Sequence, residues 1–287
     1  MDTQMKTTSR AVIQPKFRTI DGLSIRFAES EKHQTQKGAA LLLCPWPESI
    51  YAYEATWPRL AEHAHLIAMD LPGFGHSEHR ADLMSPRAMG EFIVRIANEF
   101  GLQQPHVVGP DVGTSAALFA AALHPGRFRS LVVGTGGAAV PLQLGGSLKE
   151  WVEAPDIEPY RRIDGREIVT AAVANLERYV LSDIAREDYL SAYAGERFAD
   201  SMAYVRAYLA ELPVLRDLLP EILVPVQIIN GLRDPVVPPV NAEFLHERLP
   251  DSKLDFIDAG HFIWEDAADE YAGLVTEWWD NCPEPRN

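Results

Sequence analysis

The run Val107-Val108-Gly109-Pro110-Asp111-Val112-Gly113-Thr114-Ser115 carries the most chemistry in this chain. Two apolar residues end a predicted strand, a Gly-x-Asp-x-Gly follows, and Ala116 to Leu123 reads as an Ala-rich helix. This is the layout of a strand-to-helix turn that presents a nucleophile, with Asp where Ser usually stands. In so tight a turn, a side chain two positions before or after Asp111 is expected to collide with the backbone, which asks for Gly109 and Gly113. A Ser must lose a proton before it attacks, whereas Asp is ionised near neutral pH, so Asp111 is read as attacking carbon and forming an ester. The plainer reading is an Asp that caps the next helix.

An Asp nucleophile needs a base for the water of the second step, a group to orient that base, and donors for the oxyanion. His261, in Asp258-Ala259-Gly260-His261-Phe262, follows a predicted strand through a short Gly-containing loop, alone among the nine histidines. Asp234, in Gly231-Leu232-Arg233-Asp234-Pro235, follows the preceding strand and is placed to accept from the His261 ring N–H, although Asp-Pro also favours a turn. Glu265 and Asp266 rival Asp234, but they read as solvated acids at a helix start. Backbone N–H groups should hold the oxyanion. One is that of Val112; the other is that of Trp46, because Pro45 and Pro47 in the loop after Ala39 to Leu43 have none.

The elements that must position these groups alternate. Apolar runs at Leu23 to Ala28, Ala39 to Leu43, Leu66 to Met69, His106 to Val108, Leu131 to Gly134, Val224 to Ile229 and Leu254 to Ile257 read as strands, and Pro86 to Phe100 has helical spacing. Repeated βα units imply a mostly parallel sheet flanked by helices. Between about Ala138 and Leu219 the alternation stops. Helical patterns at Ile168 to Leu181, Arg186 to Ala194 and Ala199 to Leu212 carry many aromatic residues, among them Trp151, Tyr160, Tyr179, Tyr189, Tyr193, Tyr204 and Tyr208. Such an insertion is expected to lie as a lid over the C-terminal edge of the strands, where open α/β sheets bind ligands. Packing between helices accounts for most of those rings.

Composition limits the partners. The formal net charge of −15, from 41 acidic and 26 basic residues, disfavours nucleic acid and anionic membrane. Two cysteines make no disulfide framework, which points to a reducing, cytoplasmic setting. The polar stretch Met1 to Arg10 has no apolar signal region, and no run is long enough for a membrane helix. A phosphate loop at Gly134-Thr135-Gly136-Gly137 lacks a following Gly-Lys-[Ser/Thr]. His63 and His65 do not share a helix face, so no metal site is expected. Oligomeric state is not readable.

Together these residues resemble the α/β-hydrolase superfamily over nearly the whole chain, in which nucleophile, acid and base follow the order Asp111, Asp234, His261. Within it they resemble the Asp-nucleophile branch of epoxide hydrolases and haloalkane dehalogenases. Leu41-Leu42-Leu43-Cys44-Pro45-Trp46-Pro47-Glu48-Ser49 is similar to that branch's His-Gly-aromatic-Pro loop, with Cys44-Pro45 replacing His-Gly. Asp70-Leu71-Pro72-Gly73-Phe74-Gly75-His76-Ser77 is similar to its Asp-x-x-Gly-aromatic-Gly-x-Ser segment.

The resemblance implies an α/β-hydrolase fold with an all-helical lid after the sixth strand: core over residues 1–137 and 220–287, lid over 138–219. It implies a cofactor-independent hydrolase that forms an ester on Asp111 and hydrolyses it with water activated by His261. Epoxide opening needs a hydrogen-bond donor facing Asp111. In the family two lid Tyr residues serve; Tyr204 occupies the second place, Tyr208 is the nearby alternative, and Trp151 aligns with the first. Val112 stands where haloalkane dehalogenases place a halide-binding Trp, which tilts the expectation toward an epoxide, and the aromatic content of the lid suggests a largely apolar one. A dehalogenase using the same two steps is the first alternative, and a non-catalytic ligand-binding member of the fold the second.

Overall fold

A computed structural model describes residues 13–34, 36 and 38–282. Eight strands form one sheet: β1 (Lys16–Ile20), β2 (Leu23–Glu29), β3 (Ala39–Leu43), β4 (His65–Met69), β5 (His106–Pro110), β6 (Ser130–Gly134), β7 (Val226–Gly231) and β8 (Ser252–Ile257). Their spatial order is β1-β2-β4-β3-β5-β6-β7-β8. β2 runs antiparallel to β1 and β4, and all other pairs are parallel. The helices outside the long insertion are α1 (Trp57–His63), α2 (Pro86–Glu99), α3 (Val112–Leu123), α10 (Val240–His246), α11 (Ile263–Asp266) and α12 (Ala268–Asn281). Between β6 and β7 lie α4 (Gly146–Glu153), α5 (Glu158–Arg161), α6 (Gly165–Val173), α7 (Asp183–Ala192), α8 (Arg197–Arg206) and α9 (Tyr208–Leu218). No strand interrupts that insertion.

The two-residue period of a strand builds a core on each face. Leu41, Leu43, Val107, Leu131, Val133 and Ile228 pack with α2, α3 and the insertion. Ala40, Leu42, Val108, Val132 and Ile229 point the other way, toward α1 and α12. This is why the central strands read as unbroken apolar runs. Helix α2 starts where Ser85 caps the Ala88 N–H and Pro86 takes a position that needs no donor.

Several elements differ from expectation. β1 was not anticipated, because four of its five residues are exposed and show no alternation. The pattern from Ile168 to Leu181 ends as helix at Val173; Asn175 Nδ2 then donates to the carbonyls of Ala171 and Ala172. The pattern from Ala199 to Leu212 divides at Ala207, so Tyr204 and Tyr208 lie on different helices, α8 and α9. Pro225 delays β7 to Val226.

Candidate functional site

The parallel strands deliver their C-terminal ends to one edge, and the expected site residues meet there. Asp111 directly follows β5 and takes the N-cap position of α3 with φ 52° and ψ −121°, a left-handed conformation that costs a non-glycine residue. The surrounding turn over-determines it. The Asp111 N–H donates to Gly134 O at 2.9 Å, and the Thr114 hydroxyl reaches the same carbonyl at 2.8 Å. A Cβ on Gly109 would sit 2.7 Å from Gly113 O, the backbone collision expected of this turn. A Cβ on Gly113 would meet the Leu43 side chain at 3.3 Å instead, a correction to the expected backbone clash. The Asp111 carboxylate makes no helix cap. It faces Trp46, whose N–H donates to Oδ2 at 2.6 Å, and the adjacent Val112 N–H helps to hold its charge.

The acid and base loops leave adjacent strands, β7 and β8, in close contact: a Cβ on Gly231 would stand 1.9 Å from Gly260 O. His261 Nδ1 is 2.8 Å from Asp234 Oδ2. Asp234 Oδ1 accepts the N–H groups of Val236 and Val237 at 2.8 and 2.9 Å, which fixes the carboxylate. Nδ1–H therefore points at Asp234, and Nε2 faces Asp111 Oδ1 at 3.9 Å. Phe262 and Trp264 pack edge-on against the imidazole, at 5.2 and 5.9 Å between centroids.

All three side chains are buried. Burial pushes the Asp111 carboxyl up to about 6, against the opposing pull of His261 and the Trp46 and Val112 N–H groups. Burial pulls the other way on His261, but Asp234 and then Asp111 outweigh it and lift the imidazole above its ordinary value. Cys44, also fully buried, is pushed well up by its burial and then by Asp70, which leaves it a thiol.

The aromatic candidates are placed differently from one another. The Tyr204 hydroxyl donates to Val112 O at 2.7 Å and lies 3.4 Å from Ser115 Oγ, so it sits beside the elbow but is engaged by it. Tyr208 packs edge-on against Tyr204 at 5.9 Å. Trp151 is half-buried, edge-on to Trp46 at 5.3 Å and to Phe198 at 5.0 Å. The Trp46 indole N–H is held by Ser201 Oγ at 2.8 Å. Two arginines of the insertion are occupied: Arg161 pairs with Glu196 and Asp200, and Arg206 donates to the carbonyls of Trp151 and Ala154.

Glu265 and Asp266 are not the solvated acids expected of a helix start. Both are buried. Asp266 accepts the consecutive N–H groups of Glu177, Arg178 and Tyr179, pinning the segment between α6 and α7. Glu265 accepts from the Tyr189 hydroxyl. Sequence reasoning also passed over Glu48, which is fully buried in the Trp46 loop, and no local pattern marks it. Among the described residues no group of three or more His, Cys, Asp or Glu could hold a metal, and no helix is long and apolar enough to cross a membrane.

Comparison with known proteins agrees with this architecture. The 2-hydroxymuconate semialdehyde hydrolase of a Pseudomonas species is 28% identical over 235 residues, covering 77% of this chain and 78% of that protein. The soluble epoxide hydrolase of a Corynebacterium species is 35% identical over 79 residues, 28% of each chain. The solved structure of the epoxide hydrolase CorEH matches with a TM-score of 0.77 at 17% identity, covering 95% of this chain and 100% of that one, which is a likeness of fold. A family model described as the alpha/beta hydrolase fold matches residues 40–268. With that match, and with a buried Asp-His-Asp arrangement at the sheet edge, the chain belongs to the alpha/beta hydrolase fold family.

Proposed function

We propose that this protein is a cofactor-independent hydrolase that forms a covalent ester on Asp111, and that its substrate is a largely apolar epoxide opened to a vicinal diol. The observation that carries the reading is the setting of Asp111. A carboxylate held in a strained elbow, aimed at two backbone N–H groups instead of capping its helix, is arranged for chemistry.

In the first step one Asp111 oxygen attacks an epoxide carbon and the ring C–O bond breaks. Tyr204 supplies the hydrogen bond, and then the proton, to the departing oxygen by exchanging the Val112 carbonyl for the substrate, with the Trp151 indole N–H as second donor and Tyr208 as the alternative. In the second step His261 Nε2 takes a proton from water, and the hydroxide adds to the ester carbon. The Trp46 and Val112 N–H groups hold the oxyanion; collapse breaks the acyl C–O bond, the oxygen it frees takes the proton from His261, and the proton left on the Asp111 carboxyl is lost to solvent, which reprotonates Tyr204. Asp234 stabilises the imidazolium that forms. Once Asp111 is esterified, its negative charge no longer lifts the His261 pKa, so the base is more readily neutral when water must be activated. Helices α4–α9, and residues 138–219 as a whole, act as a lid that keeps bulk water from the ester.

The test is His261→Gln mixed with a panel of 1,2-epoxides. The expected result is an intact-mass increase equal to one epoxide, lost on Asp111→Asn. Diol from epoxides in the wild type supports the substrate assignment. Free halide from haloalkanes or haloacids with no diol makes it a dehalogenase. Turnover of 2-hydroxymuconate semialdehyde alone gives it the activity of its Pseudomonas relative. Saturable binding without turnover, unaffected by Asp111→Asn, makes it a binding protein.

A further inference from the structure

We infer that Glu48 and Glu265 form a positioning pair that shares a single proton, and that this buried pair holds the Trp46 loop, the segment after His261 and helix α7 in register. Its kinetic consequence rests on the function proposed above; the existence of the pair does not.

The two carboxyl groups are 0% and 3% exposed, so water offers neither of them solvation. One oxygen of each has a donor. Glu48 Oε1 accepts from Trp264 Nε1 at 3.2 Å, and Glu265 Oε1 accepts from the Tyr189 hydroxyl at 3.0 Å. The two Oε2 atoms are buried and find no donor among the described residues, and each side chain acts on the other as a hydrogen-bond partner. Two ionised carboxylates in contact inside a protein repel strongly. One proton between them turns two orphaned acceptors into one hydrogen bond and removes one buried charge. The charged groups around them add to the demand for that proton. Asp111 faces Glu48, and Asp266 and Glu54 face Glu265, while Tyr53, Tyr189 and the Cys44 thiol are the neutral neighbours. Burial first, then for Glu48 the charge of Glu265 and for Glu265 the charges of Asp266 and Glu54, keep the pair protonated into the neutral range; Glu265 is pushed up to about 7, with its hydrogen bond to Glu48 pulling the other way.

The pair joins the three parts of the site that must stay in register. Glu48 is two residues from Trp46, whose N–H touches Asp111. Trp264, which donates to Glu48, packs edge-on to His261. Tyr189, which donates to Glu265, belongs to α7 of the insertion. Full ionisation of the pair would drive the Trp46 loop away from α11 and take the oxyanion donor with it.

E48Q keeps a donor toward Glu265 and an acceptor toward Trp264 but has no proton to lose; E265Q is its complement. The expected result is that either variant retains kcat within about threefold near neutral pH. The wild type should lose kcat at alkaline pH, and in either variant that loss should disappear or move up by about one pH unit or more. E48A should lower kcat by about tenfold or more, with KM changing less. Alkaline profiles of E48Q and E265Q that superimpose on the wild type overturn the inference. Infrared spectroscopy of the resting protein at about pH 8 reads the proton without turnover. A buried protonated-carboxyl band present in the wild type and missing from both E48Q and E265Q supports the pair even if no ester ever forms on Asp111. Its absence from the wild type overturns the pair even if the ester does form.

Discussion

At the residue scale, the proposed chemistry and stability oppose each other at Asp111. Its carboxyl is pushed from 3.8 to about 6, so the folded state holds this proton more tightly than the unfolded chain does. Stability therefore falls as pH rises from about 4 to about 6, and above that range the buried charge costs about 3 kcal/mol. Asp111→Asn removes that cost. It should unfold at a higher temperature than the wild type at about pH 8, with a smaller gain at about pH 4; an equal gain at both would refute this origin. The same shift governs ester formation, which needs the carboxylate: its single-turnover rate should fall as pH drops through about 6. The residues of the Asp-His-Asp arrangement were legible because each type follows a strand in a required order. Glu48, Glu265 and Asp266 were not. An acid reads as solvated unless its partners are known, and their partners lie on distant segments: Trp264, Tyr189 and the N–H groups of 177–179. Tyr204 was placed beside the elbow, but its engagement by Val112 O is a tertiary contact that no spacing encodes.

At the element scale, the elbow depends on close approach of backbone to backbone. Gly109→Ala puts a Cβ 2.7 Å from Gly113 O, where neither partner can move without opening the turn. It should cost about 3 kcal/mol or more and lower activity with it. Gly113→Ala meets the Leu43 side chain at 3.3 Å and should cost about 1 kcal/mol, since a side chain can yield. Urea denaturation separates the two, and equal costs would refute the distinction. The central strands were legible because burial on both faces leaves a continuous apolar run. β1 was not, since an edge strand with four exposed residues carries no such signal. The break at Ala207 was missed because apolar spacing continues through it, from Tyr204 and Val205 to Tyr208 and Leu212.

At the scale of the whole molecule, the insertion is joined to the core by buried charge as well as by aromatic packing. Arg26 on β2 is buried and pairs with Asp188 of α7 at 2.5 Å and with Asp70 at 3.3 Å. Ser49, in the Trp46 loop, donates to the same Asp188 at 2.6 Å. Arg26→Met strands two carboxylates, one fully buried, and should destabilise the fold by about 3–5 kcal/mol. Hydrogen exchange should rise first in α7; exchange that rises uniformly would show that Arg26 serves the core alone. The fold class was legible from the alternation of strands and helices, and the insertion from its interruption. How the insertion attaches was not, because Arg26 and Asp188 stand 162 residues apart.

The central claim is that an Asp111 oxygen attacks the substrate. It is tested most directly by a single turnover in heavy-oxygen water, with enzyme in excess over an epoxide that the wild type converts, followed by mass analysis of the peptide containing Asp111. If the ester forms and is hydrolysed at its carbonyl carbon, the diol takes an oxygen that came from Asp111, and heavy oxygen from water enters the Asp111 carboxylate. An unlabelled Asp111 with label in the diol would mean that water attacks the substrate itself, and would contradict the account.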